Sequence, residues 1–112
     1  MARVDCRSDR DRALEEARSV VEAGDLLVLP TDTVYGVGAD PLSREAVDRL
    51  LSAKGRGRDK PSPVLIGSPE DAERLATHIP PAARGLMDEF WPGALTIILP
   101  AREEIGWDLG ET

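Results

Sequence analysis

The 112-residue chain is poor in several residue types, and each shortage removes a class of function. One cysteine, Cys6, permits neither an internal disulfide nor a cysteine-based metal cluster, which fits a reducing compartment. One histidine, His78, sits before Ile79-Pro80-Pro81, where an exposed loop position is expected. No Ser/His/Asp set can be assembled around it, and no carboxylate pair stands out for acid/base work. Aromatic residues make up only 4%, so aliphatic side chains must fill most of the core and few rings are left on which bases can stack. No apolar run approaches the roughly 20 residues that a membrane-spanning helix needs. The N-terminus "MARVDCRSDR" has charges but no apolar segment of the secretory kind, so a cytoplasmic location is expected. Positive charge is also in deficit. Acidic residues number 21 against 14 basic ones, and the net charge of −7 is a poor footprint for general nucleic-acid binding unless cations gather locally.

What remains suffices for one domain, residues 1–112, with a modest core. Asp9 to Ala23 has helical spacing, with Leu14, Ala17, Val20 and Val21 on one face and Gly24 as a stop. Leu26 to Leu29 is a short apolar run, as in a strand buried on both faces. Ser43 can cap a second helix whose buried face is Ala46, Val47, Leu50 and Leu51. A loop from Ala53 to Pro63 follows, and Val64 to Ile66 reads as another strand. Ser68-Pro69-Glu70-Asp71 opens a third helix, with Ala72, Leu75 and Ala76 facing inward. After Pro80-Pro81 a fourth covers about Ala82 to Phe90. Trp91-Pro92-Gly93 then turns into Ala94 to Leu99, a third apolar strand, and the tail from Ala101 to Thr112 has no clear pattern. Helices interleaved with short buried strands predict an α/β or α+β fold.

Two stretches carry chemistry. "PTDTVYGVG", Pro30 to Gly38, sets Thr31, Asp32, Thr33 and Tyr35 just past a strand, where α/β sheets tend to bind ligands; Gly36 and Gly38 allow close backbone approach or positive φ. A hydroxyl-rich turn that only satisfies its own backbone has the same composition. In "AKGRGRDKPSP", Lys54, Arg56, Arg58 and Lys60 alternate, so an extended segment would turn all four toward one anion, a polyphosphate being the natural choice. A solvated basic loop is the plainer alternative. Trp91 reads as core or pocket wall.

"PTDTVYGVGADP", the second helix leading into "KGRGRDKPSPVLI", and "FWPGALTIIL" occur in the order and spacing of the YrdC-like threonylcarbamoyl-AMP synthases, and the chain resembles that family from its first helix to "WDLGET". The resemblance implies a twisted, mixed β-sheet with flanking helices around a concave basic cavity. It implies a nucleotidyltransferase that converts L-threonine, bicarbonate and ATP, with Mg²⁺ carried on the phosphates, into threonylcarbamoyl-adenylate and pyrophosphate. Partner proteins would then pass the activated group to an adenosine beside the anticodon of certain tRNAs. By motif position, Arg56 and Lys60, with Lys54 close by, correspond to ATP contacts. Thr33 corresponds to an L-threonine contact, and Thr31 and Tyr35 would shape the same wall.

Two departures qualify the resemblance. Some members have a threonine-contacting histidine where this chain has Leu65, so that contact is not carried over. The family's later arginine-proline pair and Ser-x-Asn motif are absent from a sequence that ends Gly110-Glu111-Thr112. The chain therefore reads as the N-terminal part of a synthase, with a sheet left incomplete. A double-stranded RNA- or tRNA-binding module without catalysis and an inactive truncated fragment are the alternatives.

Overall fold

The structure, a computed structural model, describes residues 3–109; Gly110, Glu111 and Thr112, named above, lie outside the described residues. Four α-helices and a two-stranded sheet follow in the order α1 (Arg10–Glu22), β1 (Leu27–Pro30), β2 (Tyr35–Gly38), α2 (Arg44–Ala53), α3 (Pro69–Leu75) and α4 (Pro81–Phe90), with a 3₁₀ turn at Glu103–Ile105.

Local signals set the helix ends. The Asp9 carboxylate accepts from the Arg12 N–H at 3.4 Å and starts α1, and the Ser43 hydroxyl accepts from the Ala46 N–H at 3.2 Å and starts α2. Both helices stop the same way. Gly24 (φ 80°) and Gly55 (φ 68°) adopt the left-handed conformation, and the residue after each glycine donates back five positions: Asp25 to the Val20 carbonyl at 3.1 Å, Arg56 to that of Leu51 at 2.8 Å. These stops fix the direction in which the chain enters β1 and the basic loop. At α3 the Asp71 carboxylate accepts from the Gly67 and Ser68 N–H groups, each at 3.2 Å. The exposed C-terminal carbonyl of Glu73 receives the Arg102 guanidinium through Nε at 3.1 Å and Nη2 at 3.0 Å.

The expected face of α2 is buried: Ala46, Val47, Leu50 and Leu51 are all under 9% exposed. A second cluster joins α3 and α4 through Ala72, Ala76, Ile79, Ala83 and Met87, with Ile66, Trp91, Ile97 and Leu99 packed on it. The shared alanines leave little bulk between the helices, so Met87 and Ile79 supply most of the filling. By contrast α1 buries no residue completely; Ala17, Val20 and Val21 are half-buried, and Leu14, expected inside, is 59% exposed.

The strands depart furthest from expectation. β1 and β2 form an antiparallel hairpin in the register Leu27↔Gly38, Val28↔Val37, Leu29↔Gly36, Pro30↔Tyr35. It is smaller than the twisted, mixed sheet expected, and among the described residues no further strand joins it. Nor is β1 buried on both faces. With one partner strand and α1 as its neighbouring helix, Leu27 and Leu29 are half-buried while Val28 is 66% exposed. Val64 to Ile66 and Ala94 to Leu99 make no strand ladder. They keep the period-two burial of strands: Ile66, Ile97 and Leu99 turn onto the cluster, whereas Leu65 and Ile98 point outward. Cover on one face and, among the described residues, no neighbouring strand within hydrogen-bonding reach explain both features. An isolated antiparallel bridge, Ala76 to Ala101, ties the tail to the end of α3.

Candidate active site

A cleft of about 880 Å³ opens between the hairpin tip and the α3–α4 cluster. Three segments build it: Pro30 to Thr33 at the rim, Pro63 to Pro69 along one side, and Trp91 to Ile97 along the other, with Trp107 from the tail. Its floor is apolar because the inward residues of the two extended segments, Ile66 and Ile97, also pack on the core. The Trp91 Nε1–H donates to the Leu95 carbonyl at 2.9 Å, which fixes the ring as wall. Gly93 makes this wall possible: a Cβ there would stand 2.6 Å from the Phe90 carbonyl oxygen. The lining contains none of Lys54, Arg56, Arg58 or Lys60.

The hairpin tip divides its hydroxyls between two tasks. Thr31 closes the turn: its hydroxyl donates to the Val34 carbonyl and accepts from the Thr33 N–H at 3.3 Å. Thr33 Oγ1 has one hydrogen-bonding contact, Thr31 Oγ1 at 3.4 Å, and Thr33 is exposed at the rim. It therefore keeps most of its capacity for a ligand. Tyr35 falls beyond the turn, in β2 opposite Pro30; it is 75% exposed and does not line the cleft. Neither Gly36 nor Gly38 has positive φ, and a Cβ on either would meet only ordinary contacts, the Thr31 methyl at 3.4 Å and the Leu29 side chain at 3.5 Å.

The basic loop is two consecutive turns rather than an extended segment, with Lys60 N–H donating to the Gly57 carbonyl at 3.2 Å. Its four cations do not share one fate. Arg58 is drawn inward between the carboxylates of Asp48 and Asp108 and also reaches the Asp108 carbonyl at 3.5 Å. Asp108 in turn pairs with Arg44 at 2.8 Å. Lys54, Arg56 and Lys60 are exposed, and among the described residues they form no ion pair. Next to them the Ser62 hydroxyl is buried without a hydrogen-bond partner, at the join between this loop and the cleft wall. The structure thus brings Thr31 and Thr33 together on one cleft and leaves Lys54, Arg56 and Lys60 on a separate loop that runs into its wall at Pro63.

Cys6 and His78 are both exposed, and no three His, Cys, Asp or Glu side chains gather in a metal-binding group among the described residues. No helix among them is long and apolar enough to cross a membrane. β2 was legible in principle, because "YGVG" continues the strand-like alternation of "LVLP" across a four-residue turn. The pairing of Arg58 with Asp108 spans 50 positions and leaves no local mark in the sequence.

Residues 19–110 match the family model described as telomere recombination, which groups the Sua5, YciO and YrdC proteins. The chain belongs to the YrdC-like threonylcarbamoyl-AMP synthase family. A Mycobacterium tuberculosis member is 49% identical over 102 residues, 91% of this chain and 47% of its own length. The threonylcarbamoyl-AMP synthase of Pyrococcus abyssi is 45% identical over 89 residues, 80% of this chain and 26% of its own. The chain thus spans about half the length of its mycobacterial relatives, and less of the archaeal one. The crystal structure of P. abyssi Sua5 complexed with L-threonine aligns over 96% of this chain and 32% of that one, at 39% identity and a TM-score of 0.74. A doubly substituted P. abyssi Sua5 aligns over 88% and 30%, at 40% identity and 0.78.

Proposed function

We propose that this chain supplies the threonine- and ATP-binding portion of an L-threonylcarbamoyladenylate synthase acting in tRNA threonylcarbamoyladenosine modification. Family membership supports the general chemistry. The observation that carries the assignment to particular residues is the contrast between the two loops: one exposed hydroxyl on a closed turn at the rim of an apolar cleft, and three uncommitted cations on the loop leading into its wall.

Thr33 offers a hydroxyl that both donates and accepts, as the side chain or ammonium of a small polar amino acid requires. The apolar floor gives room for the threonine methyl group, and Thr31 holds the rim in shape. The amine nitrogen of L-threonine bonds to the carbon of bicarbonate, a C–O bond breaks and water leaves, giving N-carboxy-threonine. Its carboxylate oxygen attacks the α-phosphorus of ATP, the bond from that phosphorus to the bridging oxygen breaks, and pyrophosphate leaves with the electron pair. Negative charge grows on the phosphoryl oxygens and on the leaving group. Arg56 can fork across two phosphate oxygens, while Lys60 and Lys54 act as point charges; Mg²⁺ arrives with the nucleotide as part of the substrate. The mixed anhydride product is then taken by tRNA-modification partner proteins.

Calorimetric titration of the chain with ATP·Mg²⁺ and, separately, with L-threonine tests the assignment. Lys60→Ala is expected to weaken ATP binding by about ten-fold or more, the scale of one charge-assisted contact, with threonine binding unchanged. Thr33→Val is expected to do the reverse. Equal loss of both ligands in either variant, or no loss in its own, contradicts the assignment.

A further inference from the structure

The four cations of the basic loop are not equivalent, and Arg58 is the exception. Its side chain is 23% exposed, whereas Lys54, Arg56 and Lys60 are exposed residues. One Arg58 terminal nitrogen goes to Asp48, one turn from Arg44 on α2, and the other to Asp108 in the tail. Asp108 also takes Arg44 at 2.8 Å. Two guanidinium groups and two carboxylates therefore form an open chain of ion pairs, Arg44–Asp108–Arg58–Asp48, that joins α2, the middle of the loop and the tail. A guanidinium already shared between two carboxylates has little left to offer a phosphate. It does, however, pin the loop at its centre, two residues from Arg56 on one side and from Lys60 on the other. The remaining restraints at this point are backbone bonds: Arg56 N–H to Leu51 and Lys60 N–H to Gly57.

We infer that Arg58 is a positioning residue: clamped by Asp48 and Asp108, it holds Arg56 and Lys60 where they can converge on a polyphosphate without touching the polyphosphate itself. The inference rests on the nucleotide-binding reading above and extends it to a residue of the tail, Asp108. The sign of one substitution separates it from simple electrostatics. Asp108→Asn removes a negative charge near a site for a polyanion, so Coulomb's law alone predicts tighter ATP binding. Loss of the clamp predicts weaker binding.

Three variants, Asp108→Asn, Arg58→Met and Arg58→Lys, test this by ATP titration, with the thermal midpoint followed in parallel. Asp108→Asn and Arg58→Met are expected to weaken ATP binding roughly five- to ten-fold, and Arg58→Lys less, because its ammonium still pairs with one carboxylate although it cannot bridge both as a planar fork does. Combining Arg58→Met with Lys60→Ala should cost clearly less than the sum of the two separate losses, since with Lys60 gone only Arg56 is left for Arg58 to place. Additive losses would make Arg58 an independent phosphate contact and overturn the inference, as would tighter binding by Asp108→Asn. Limited trypsin digestion reads the clamp without ATP. Asp108→Asn should speed cleavage after Lys54 and Arg56 several-fold at an unchanged thermal midpoint. If the unsubstituted chain binds no ATP, the nucleotide reading fails, and the digestion alone decides whether the clamp exists: an unchanged cleavage rate disproves it.

Discussion

The hairpin tip and the basic loop reach ligand-ready geometry by opposite means. Thr31 to Val34 is closed by contacts two and three residues apart, and a single hydroxyl does most of the closing. The loop from Lys54 to Pro63 is held by charges contributed from α2 and from a residue 50 positions away. A short polar turn can specify itself, so the tip needs little from the rest of the molecule beyond the strand it ends. Like charges repel, and a loop that gathers four of them needs carboxylates brought in from elsewhere. The difference suits the proposed ligands: a fixed hydroxyl selects a small amino acid by shape, while a set of cations on an anchored loop answers charge.

Several perturbations separate the two regions, beginning with the largest. Gly93→Ala forces a Cβ to 2.6 Å from the Phe90 carbonyl and must move a segment that lines the same cleft as the hairpin tip. Because the opposing atom is backbone, the cost is expected to be about 2 kcal/mol or more, a fall of roughly 10 °C in thermal midpoint, with threonine binding lost before ATP binding. Salt should act on the other region. Raising ionic strength from about 0.05 to 0.5 M shortens the screening length several-fold, so ATP affinity should drop several-fold while threonine affinity stays within two-fold. Calorimetry at both salt concentrations measures this, and equal sensitivity of the two ligands would erase the contrast.

Smaller effects sharpen it. Thr31→Val removes the hydroxyl that donates to Val34 and accepts from Thr33, and is expected to cost about 1 kcal/mol in denaturant unfolding; Thr33→Val, which deletes only a rim hydroxyl, should cost much less. The smallest effect lies outside both regions. The Arg7 N–H, donating to the Asp5 carboxylate at 2.9 Å, holds that carboxyl below its usual range. A depressed folded-state value stabilises the fold above the unfolded value of 3.8 and loses that contribution as pH falls through the depressed value. Asp5→Asn should therefore lower stability slightly at neutral pH and make no difference at low pH, while leaving both ligands' affinities untouched.

Legibility in the sequence followed the range of the interactions. Ser43 and Gly24 mark helix ends through bonds three to five residues long, and α1, α2 and the buried face of α2 stand where the spacing put them. The strand-like apolar character of "VLI" and "ALTIIL" survives as period-two burial, with Ile66, Ile97 and Leu99 turned inward. It could not signal whether another strand would be present to bond them. Burial period and hydrogen-bonded pairing are separate properties, and only the first is local. The same division holds at the site. The motif located both loops, and residue types alone named Thr33 as readily as Thr31. The distinction between a hydroxyl that closes a turn and one left free needed the turn's geometry. Arg58 looked like its three neighbours because its partners, Asp48 and Asp108, lie outside the motif.

The most direct test of the central claim is pyrophosphate release by the chain with ATP, Mg²⁺ and bicarbonate, with and without L-threonine. The account predicts release that depends on threonine, and that Lys60→Ala and Thr33→Val each reduce it at an unchanged thermal midpoint. A folded chain that binds neither ATP nor L-threonine and releases no pyrophosphate would contradict it, and would make the hydroxyl turn and the basic loop features of the fold without a ligand.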